Sequence, residues 1–485
     1  MPNEPRGRSA VPHSRPPERS RGSSPARVVL GMAAVIGLAV ILGGVAGGAL
    51  GPAGPTVAVA GGSPTPAAPG TSSPGSGSPS PAASTASPTA IPASPTPAGS
   101  PSPSASPGPS SLPTAPPPAA DVPAEQLQAR LDQLRRKLSI PGLSVAILWD
   151  DGRSWLGVSG RADVAGRRPV TPDSGFALAS ISKTFTAAVV LQLVDEGRLA
   201  LDEPVAPRLP DYPLDRRITV RMLLDHTSGL PDFFLSKRID KALQSVPDET
   251  WTPAQAWSYV PRRRAVPGTV WSYANTNYLL LGELVESVTG RSLAREVRER
   301  LLDPLDLEDT WYQAVEKPRA SLTIGYRLIP RNGGGVRPVA VARTTTVMPF
   351  RSVITAAGGA GSLGGTARDA ARWMQALAGG RVLSEAMQQA MIGDAVTTSA
   401  LGAKVPYGLG IQVVTLAGRT AIGHSGRYLG FRNVVRYLPA EGVTIAVLTN
   451  QGAADPSRVA AALLRIVLPK LVPIPAPSPS ASPAP

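Results

Sequence analysis

The feature that most limits how this chain can fold is a long stretch without charge. Residues 28 to 120 contain no Asp, Glu, Lys or Arg. From about residue 61 this stretch is made of Pro, Ser, Ala, Thr and Gly, which offer no large side chains to bury, so we expect residues 51–120 to be a disordered linker. We expect one folded domain at 121–472, followed by a disordered Pro- and Ser-rich tail at 473–485.

The first part of the uncharged stretch, residues 28–50, is rich in Ala, Val, Ile, Leu and Gly. As a helix it would be roughly 34 Å long, which is enough to cross the hydrocarbon core of a bilayer. Because residues 1–27 are basic, we expect a cytoplasmic tail there, a single-pass membrane anchor at 28–50, and the folded domain on the extracytoplasmic side of the cell membrane. The alternative is a signal segment that is cleaved near Ala60 and releases a secreted protein.

The composition excludes several classes of site. No cysteine is present, which removes disulfides, lipidated cysteines and thiolate metal sites. No His-Glu-x-x-His run or other cluster of ligands occurs, so we expect neither a metal nor another cofactor. The net charge of +14 comes mostly from scattered arginines, and a solvated basic surface explains it better than a nucleic-acid site.

Strand-like and helix-like patterns occupy different parts of the domain. Residues 123–138 carry leucines on one helical face, and Asp150-Asp151-Gly152 between two apolar runs is typical of a hairpin turn. Helical patterns dominate to about residue 390, and strand-like runs return at 409–448 before a closing helix at 456–472. These patterns predict an α+β fold, with one antiparallel sheet built from both ends of the domain, flanking helices and a mainly helical insert. We expect the active site at the junction.

Ser180 and Lys183 form the only Ser-x-x-Lys of the chain, at the start of a segment with a helical apolar pattern. One helical turn separates them, so the hydroxyl and the amine can lie on the same face. A serine hydroxyl becomes a good nucleophile only when a neighbour takes its proton, and a lysine pKa of about 10.4 must fall by about 3 units for that task. Burial at a helix N-terminus lowers the pKa in that direction. Taken alone, the motif would more often be a serine N-cap with a lysine that reaches solvent.

Tyr273 and Asn275 form the only Tyr-x-Asn of the chain. A phenol beside a lysine ammonium has its anionic form stabilised, so Tyr273 and Lys183 are both candidate bases and the sequence does not choose between them. Asn275 can direct its amide towards the acyl side chain of a substrate. The structural alternative is a helix start with a capping asparagine.

His424, Ser425 and Gly426 follow one another at the end of a strand-like run. Gly426 leaves room for a substrate, and the backbone N–H groups of Ser180 and Arg427 could form an oxyanion hole, in which each donor is typically worth about 2.7–4 kcal/mol. We assign His226 to structure, because the residues around it are those expected of a helix end and turn.

The order of these motifs resembles that of the beta-lactamase-related serine hydrolases, which include class C β-lactamases, D-alanyl-D-alanine carboxypeptidases, D-aminopeptidases and esterases. The resemblance extends over about residues 125–468. It is carried by the three motifs and by four segments, one of which contains Tyr273 and Asn275: 223–230, 267–278, 288–290 and 407–410. It implies that Ser180 is the acylated nucleophile and that Lys183 and Tyr273 move protons. His424 would then stand where the β-lactamases carry a lysine.

That departure bears on the substrate, since histidine is mostly neutral near pH 7 and supplies no fixed cation for a β-lactam carboxylate. The resemblance is therefore to the carboxypeptidase and esterase branches. Arg427 or Arg432 could replace the cation and bind a C-terminal carboxylate, although surface arginines explain both equally well.

The resemblance implies hydrolysis through an acyl-enzyme on Ser180, first of all of D-alanyl-D-alanine peptides of the kind found in peptidoglycan. Esterase activity on small acyl esters is the second hypothesis and β-lactam hydrolysis the third. A hypothesis of another class is a non-catalytic wall-binding module on a stalk, which predicts the loss of Ser180, Lys183 or Tyr273, whereas all three are present. We expect a small peptide or ester substrate and a monomer.

Overall fold

The computed structural model describes residues 122–344, 346–393, 395–398 and 405–468. The tail predicted at 1–27, the linker at 51–120 and the C-terminal tail at 473–485 lie outside these residues, as do the last residues of the closing helix predicted at 456–472. These segment boundaries therefore stay predictions.

The prediction of a single-pass membrane protein needs correction. Residues 28–50 also lie outside the described residues, and within the described ranges no helix is both long enough and apolar enough to cross a bilayer. The membrane-anchored localisation is therefore withdrawn.

Strands and helices alternate unevenly along the described part of the chain. The strands are β1 (Gly142–Trp149), β2 (Ser154–Asp163), β3 (Arg168–Pro169), β4 (Ser174–Ala177), β5 (Trp311–Tyr312), β6 (Ser321–Leu322), β7 (Tyr326–Pro330), β8 (Val336–Ala340), β9 (Leu363–Gly365), β10 (Val396–Thr398), β11 (Val405–Tyr407), β12 (Gln412–Leu416), β13 (Arg419–Tyr428), β14 (Phe431–Leu438) and β15 (Val443–Thr449). The α-helices are α1 (Ala124–Lys137), α2 (Ser182–Asp195), α3 (Val220–Leu224), α4 (Ile239–Ser245), α5 (Pro253–Trp257), α6 (Asn275–Thr289), α7 (Leu293–Val297), α8 (Arg351–Ala357), α9 (Ala367–Ala378), α10 (Glu385–Gly393) and α11 (Pro456–Val467).

The largest sheet within these residues has the strand order β10-β11-β12-β13-β14-β15-β1-β2-β3, and neighbouring strands run antiparallel. Strand β1 from the start of the domain pairs with β15 from its end, in a register that sets Val145 opposite Val447. The α+β prediction, with one sheet assembled from both ends of the domain, is confirmed. A smaller sheet, β5-β9-β4-β6, and the hairpin β7-β8 lie in the middle of the sequence.

Two hydrophobic cores cover the two faces of the large sheet. On one face, α1 and α11 bury residues such as Leu131 and Leu463 against Val145 and Val434. On the other face, α2 and α9 pack with α6 around residues such as Phe185 and Trp373, whose rings are stacked at a centroid distance of 3.9 Å. Helix α2 is almost completely buried, including polar residues such as Lys183 and Thr184, which is the pattern of a central helix rather than of a surface helix.

Most predicted elements near the ends of the domain are present with small boundary shifts. The hairpin turn at Asp150-Asp151-Gly152 joins β1 to β2 as predicted, and the predicted first helix is α1. Helix α2 ends at Asp195, because Glu196-Gly197 begins a turn in which Gly197 has a φ of 69°. The small sheet and the β7-β8 hairpin escaped prediction, since their strands are two to five residues long and carry no clear alternation.

Candidate active site

The predicted nucleophile lies on a sharp turn between β4 and α2. A short 3₁₀ turn, Ala179–Ile181, leads directly into α2 and carries Ser180. Ala179 has a φ of 52°, which is the left-handed conformation that a non-glycine residue adopts at some cost. Ser180 is left half-buried at the surface of the turn, whereas Lys183, one turn along, is completely buried.

Three groups surround the amine of Lys183. Its Nζ lies 3.1 Å from Ser180 Oγ, 2.7 Å from Asn275 Oδ1 and 2.8 Å from the carbonyl oxygen of Ala360. The amide oxygen and the carbonyl oxygen can only accept hydrogen bonds, so each of them takes one N–H of the lysine in either protonation state. When the amine is neutral, its lone pair is therefore directed at the Ser180 hydroxyl.

A buried carboxylate completes this cluster. Asn275 Nδ2 donates to Asp232 Oδ2 at 2.9 Å, so the Asn275 amide joins Asp232 to Lys183. Asp232 is buried at the start of the short turn Phe233–Leu235, and its Oδ1 accepts the N–H of Phe234 at 3.0 Å. Lys183, Asn275 and Asp232 thus form a buried, hydrogen-bonded set of side chains next to Ser180, which we call the lysine cluster.

Burial brings the pKa values of this pair close to neutrality. Burial lowers the pKa of Lys183 from 10.5 to about 7, and the Asp232 carboxylate acts in the opposite direction. Burial likewise raises the pKa of Asp232 to about 6, against the effects of the Phe234 N–H and of Lys183. Near pH 7 a substantial fraction of Lys183 is neutral, which is the form that can accept a proton from Ser180.

Tyr273 lies beside both members of the Ser-x-x-Lys motif. Lys183 Nζ is 5.0 Å from the centroid of the Tyr273 ring, and the Ser180 side chain is close enough to lower the pKa of Tyr273. The expectation that the lysine favours a phenolate at this position is wrong. Burial raises the pKa of Tyr273 and outweighs the contact with Ser180, so the phenol is neutral and able to donate a proton.

Asn275 differs from its prediction in orientation. It is the first residue of α6, and Ala274 occupies the capping position with no side-chain cap. Both ends of the Asn275 amide are engaged by Lys183 and Asp232, so the amide does not point towards a substrate. Its position therefore suits it to hold the lysine.

The His424-Ser425-Gly426 motif lies on β13 next to the serine turn. A β-carbon at Gly426 would be 2.1 Å from the carbonyl oxygen of Leu178 and 3.3 Å from Ala179 Cβ, so only glycine lets the strand pack this closely. Among the described residues, β12 pairs with β13 only as far as Gly423, while β14 pairs with β13 along its length to Tyr428. The free edge of β13 beyond Gly423 therefore borders the site.

Both ring nitrogens of His424 are engaged inside the protein. Nδ1 lies 2.6 Å from the carbonyl oxygen of Ser425, and Nε2 lies 3.1 Å from Tyr407 Oη. Burial and the nearby positive charge of Lys183 lower the pKa of His424 to about 3, so the ring is neutral. His424 was predicted to act on the substrate, but the structure places its nitrogens on protein partners.

Ser425 and Arg427 alternate with these residues along β13. The Ser425 hydroxyl lies 3.5 Å from Gln412 Oε1, which also accepts from the buried Arg436 at 2.7 Å. Since side chains alternate along a strand, Ser425 and Arg427 belong to the face opposite His424 and Gly426. Burial and the neighbouring Arg432 lower the pKa of Arg427.

Two residues of the site were missed or misassigned from the sequence. Asp232 follows a proline in the apolar run Leu-Pro-Asp-Phe-Phe-Leu, and a lone acid in such a run signals a buried carboxylate that needs a partner. Tyr407 lies in the segment Tyr-Gly-Leu-Gly, which contributes to the family resemblance but has no local pattern that marks a site residue. For a metal, no group of three or more His, Cys, Asp or Glu side chains is suitably placed in the part of the chain that the structure describes.

The comparisons with known proteins agree with this geometry. A family model described as Beta-lactamase matches residues 124–468. The chain is 33% identical over 345 residues to penicillin-binding protein 4 of Amycolatopsis lactamdurans, covering 67% of this chain and 85% of that protein. It is 30% identical over 335 residues to a D-aminopeptidase of Brucella anthropi, covering 68% of this chain and 59% of that longer protein.

Two solved structures are similar over most of the described residues. One is a D-stereospecific amidohydrolase from Streptomyces sp., with a TM-score of 0.58, 29% identity, and coverage of 68% of this chain and 96% of that one. The other is a D-amino acid amidase from Ochrobactrum anthropi SV3 complexed with D-phenylalanine, with a TM-score of 0.60, 26% identity, and coverage of 71% and 98%. The chain thus shares its fold with enzymes whose names describe amide hydrolysis at D-amino acids.

Proposed function

The chain belongs to the beta-lactamase family and is a serine hydrolase, and we propose that it cleaves amide bonds next to D-amino acid residues through an acyl-enzyme on Ser180. The observation that carries the proposal is the environment of Lys183 Nζ. Two of its three neighbours can only accept hydrogen bonds, and the third is the Ser180 hydroxyl at 3.1 Å. The lone pair of a neutral amine held in this way faces the Ser180 hydroxyl, so the amine can accept the proton of that hydroxyl.

In the first step, the Ser180 proton moves to Lys183 Nζ while Oγ bonds to the substrate carbon and the carbonyl oxygen becomes an oxyanion. The pKa of about 7 for Lys183 suits a base that works near neutrality. The oxyanion would be bound by the N–H groups of Ser180 and Arg427, and the close packing of Gly426 on the serine turn supports this assignment.

In the second step, the bond between carbon and nitrogen breaks and the leaving amine needs a proton. Tyr273 lies beside Ser180 and is a neutral phenol, so it can supply that proton. Ser180 Oγ is by then the ester oxygen of the acyl-enzyme and has no hydrogen to pass on. The proton taken up by Lys183 therefore moves to the phenolate oxygen of Tyr273, whose ring centroid lies 5.0 Å from Lys183 Nζ, and both groups are restored. Hydrolysis of the acyl-enzyme by water reverses these transfers and regenerates Ser180.

The relatives support the choice of a D-configured amide. Three of them are named for D-amino acid or D-stereospecific amide hydrolysis, namely a D-aminopeptidase, an amidohydrolase and an amidase. Because His424 is neutral, this position offers no cation for a substrate carboxylate, which favours amides over substrates that end in a free acid. The narrower hypothesis of a D-alanyl-D-alanine carboxypeptidase is supported by the penicillin-binding relative and would need Arg427 to bind the carboxylate.

The test is a substrate panel with the purified chain and its Ser180→Ala variant. We expect turnover of D-phenylalanine amide and D-alanine p-nitroanilide, with no turnover of the L-amides. Faster cleavage of a peptide ending in D-alanyl-D-alanine than of its C-terminal amide would instead establish the carboxypeptidase. Turnover restricted to phenyl esters or to a chromogenic β-lactam would replace the proposal with the esterase or the β-lactamase. The absence of turnover together with the absence of a covalent Ser180 adduct would refute an acyl-enzyme mechanism.

A further inference from the structure

Three buried side chains outside the lysine cluster are hydrogen-bonded in series. His226 Nε2 lies 3.3 Å from Tyr407 Oη, and Tyr407 Oη lies 3.1 Å from His424 Nε2. All three residues are essentially inaccessible to solvent. They come from the turn after α3, from β11 and from β13, which are distant in sequence.

The protons of the first histidine are fixed by its surroundings. His226 Nδ1 lies 3.3 Å from the backbone nitrogen of Ala274 and 3.0 Å from Asn277 Nδ2. The backbone N–H can only donate, and Asn277 presents its amide nitrogen because its Oδ1 accepts from Ser228 Oγ at 2.7 Å. Nδ1 is therefore an acceptor, and the proton of the neutral ring is on Nε2, facing Tyr407.

The protons of the second histidine are fixed in the same manner from the other end. His424 Nδ1 lies 2.6 Å from the carbonyl oxygen of Ser425, which can only accept, so Nδ1 carries the proton. Nε2 of His424 is then an acceptor and needs the hydroxyl proton of Tyr407. All the hydrogen bonds of the series therefore donate in one direction, from the Ala274 amide through His226, Tyr407 and His424 to the Ser425 carbonyl. We call these three side chains the histidine chain.

Each end of this chain adjoins a residue of the proposed reaction. Ala274 follows Tyr273, and the His226 ring packs against the Tyr273 ring at a centroid distance of 4.4 Å. Ser425 precedes Gly426, which packs on the turn of Ser180. His226 also has a φ of 68°, a left-handed backbone that a histidine adopts only when its surroundings hold it there.

We propose that His226, Tyr407 and His424 are positioning residues that hold the Tyr273 segment at a set distance from β13. The inference rests on the proposed function, because it assigns Tyr273 the protonation of the leaving amine. Since both ends of the chain are backbone groups with fixed roles, it cannot carry a proton to the substrate. Its contribution is geometric, and His424 acts through the strand and Tyr273 rather than on the substrate.

The charge states of these residues agree with the geometry. Burial and nearby positive charge lower the pKa of His226 well below 6.5 and that of His424 to about 3. Burial raises the pKa of Tyr407, which is also close to Tyr278. Tyr278 donates its own proton to the carbonyl oxygen of Leu224 at 2.8 Å, so towards Tyr407 its oxygen can only accept, and Tyr278 supplies no proton to the series.

The first experiment measures the tautomers directly. The chain has three histidines, one of which is His13, so nitrogen-15 correlation spectra of the full chain can be assigned with His226 and His424 variants. We expect His226 as the Nε2–H tautomer and His424 as the Nδ1–H tautomer, with no titration of either between pH 5 and pH 8. A His424 ring protonated on Nε2, or one that titrates normally, would overturn the chain.

The second experiment compares two matched hydroxyl deletions, Tyr407→Phe and Tyr326→Phe. Tyr407→Phe should lower kcat for the D-amide roughly 10- to 100-fold and should affect an activated ester much less, because the ester leaving group needs no proton from Tyr273. Tyr326→Phe removes a similarly buried hydroxyl that binds the Val164 N–H and Asp163 and has no contact with the histidine chain, so it should keep the wild-type ratio of amide to ester activity. Equal ratios in both variants would refute positioning.

A separate signal distinguishes failure of this inference from failure of the proposed function. If the wild-type protein hydrolyses neither amide nor ester, the proposed function fails. The ring resonances of Tyr273 still report its position: they should shift in Tyr407→Phe and not in Tyr326→Phe. Unchanged Tyr273 resonances in both variants would refute the inference whatever the substrate is.

Discussion

Two clusters of buried polar side chains lie next to each other in this molecule, and burial has opposite effects on their titration. In the lysine cluster of Lys183, Asn275 and Asp232, burial brings the pKa values of the lysine and the carboxyl to about 7 and about 6. In the histidine chain of His226, Tyr407 and His424, burial removes titration from the physiological range altogether.

The difference comes from the partners. Lys183 has a carboxylate nearby that opposes its desolvation, and its third neighbour is a hydroxyl that can donate as well as accept. Among the described residues, no carboxylate raises the pKa of either histidine, and the histidine chain ends on backbone groups with one possible role each. Burial therefore favours proton transfer only where the hydrogen-bond partners allow the proton more than one position.

The largest expected effect is on the serine itself. Ser180→Ala should lower kcat by about 10⁴-fold or more, because no other hydroxyl faces Lys183 Nζ within hydrogen-bonding distance among the described residues. The measurement is steady-state turnover of the D-amide. Ser182→Ala is the matched control, since that buried hydroxyl accepts the N–H of Leu363 and its loss should lower stability with little effect on kcat. Similar losses in both variants would contradict the nucleophile assignment.

The next effect separates the two roles of proton transfer. Tyr273→Phe keeps the ring beside Lys183 and removes the phenolic proton, so amide hydrolysis should fall about 10²- to 10³-fold. Acylation by a p-nitrophenyl ester should fall far less, because nitrophenolate leaves without protonation. The ratio is measured by pre-steady-state kinetics on both substrates. An equal loss on both would indicate that Tyr273 serves the attack of Ser180 instead.

A smaller effect concerns the pH profile. Lys183 acts as a neutral amine, so kcat/KM should be lost as the pH falls through about 7. The Asp232 carboxylate raises the pKa of Lys183, so Asp232→Asn should move this acid limb to lower pH while lowering the plateau. Asp240→Asn is the control, because Asp240 is also buried and has a pKa raised to about 6, but it is not among the groups that shift Lys183. If the acid limb of Asp232→Asn stays at the wild-type pH, the Asp232 carboxylate does not act on the pKa of Lys183.

The smallest expected change in the pH profile is that of the histidine chain. His424→Asn retains a donor for the Ser425 carbonyl and loses the acceptor for Tyr407, so kcat should fall about tenfold through loosened geometry. Its acid limb should stay at the wild-type pH, since His424 does not titrate there. A displaced acid limb would show that His424 gains charge in this pH range. The histidine chain would then titrate as the lysine cluster does.

The sequence predicts the ends of this domain better than its centre. Strands such as β1 and β15 are continuous apolar runs next to turn residues, so their existence and their place in one antiparallel sheet could be predicted. The short strands β5, β6 and β9 owe their conformation to neighbours far away in sequence, and no local pattern marks them.

The same limit applies to the site. The spacing of Ser180 and Lys183 predicts their contact because one helical turn determines it. Asp232 reaches Lys183 through the amide of Asn275, 43 positions away along the chain, and only the tertiary fold brings these residues together. The direction of the Tyr273 pKa could not be predicted either, because it depends on burial that the motif does not record.

The pairing of β1 with β15 has a consequence for how the polypeptide is made. Gly142 donates its N–H to the side chain of Asn450, 308 positions later, and every residue of β1 is buried in the finished domain. While the chain leaves the ribosome, β1 can pair with β2 but must wait for the last strand to cover its other edge. A messenger truncated before Val443 would therefore release chains with a bare apolar strand edge, which is a template for aggregation.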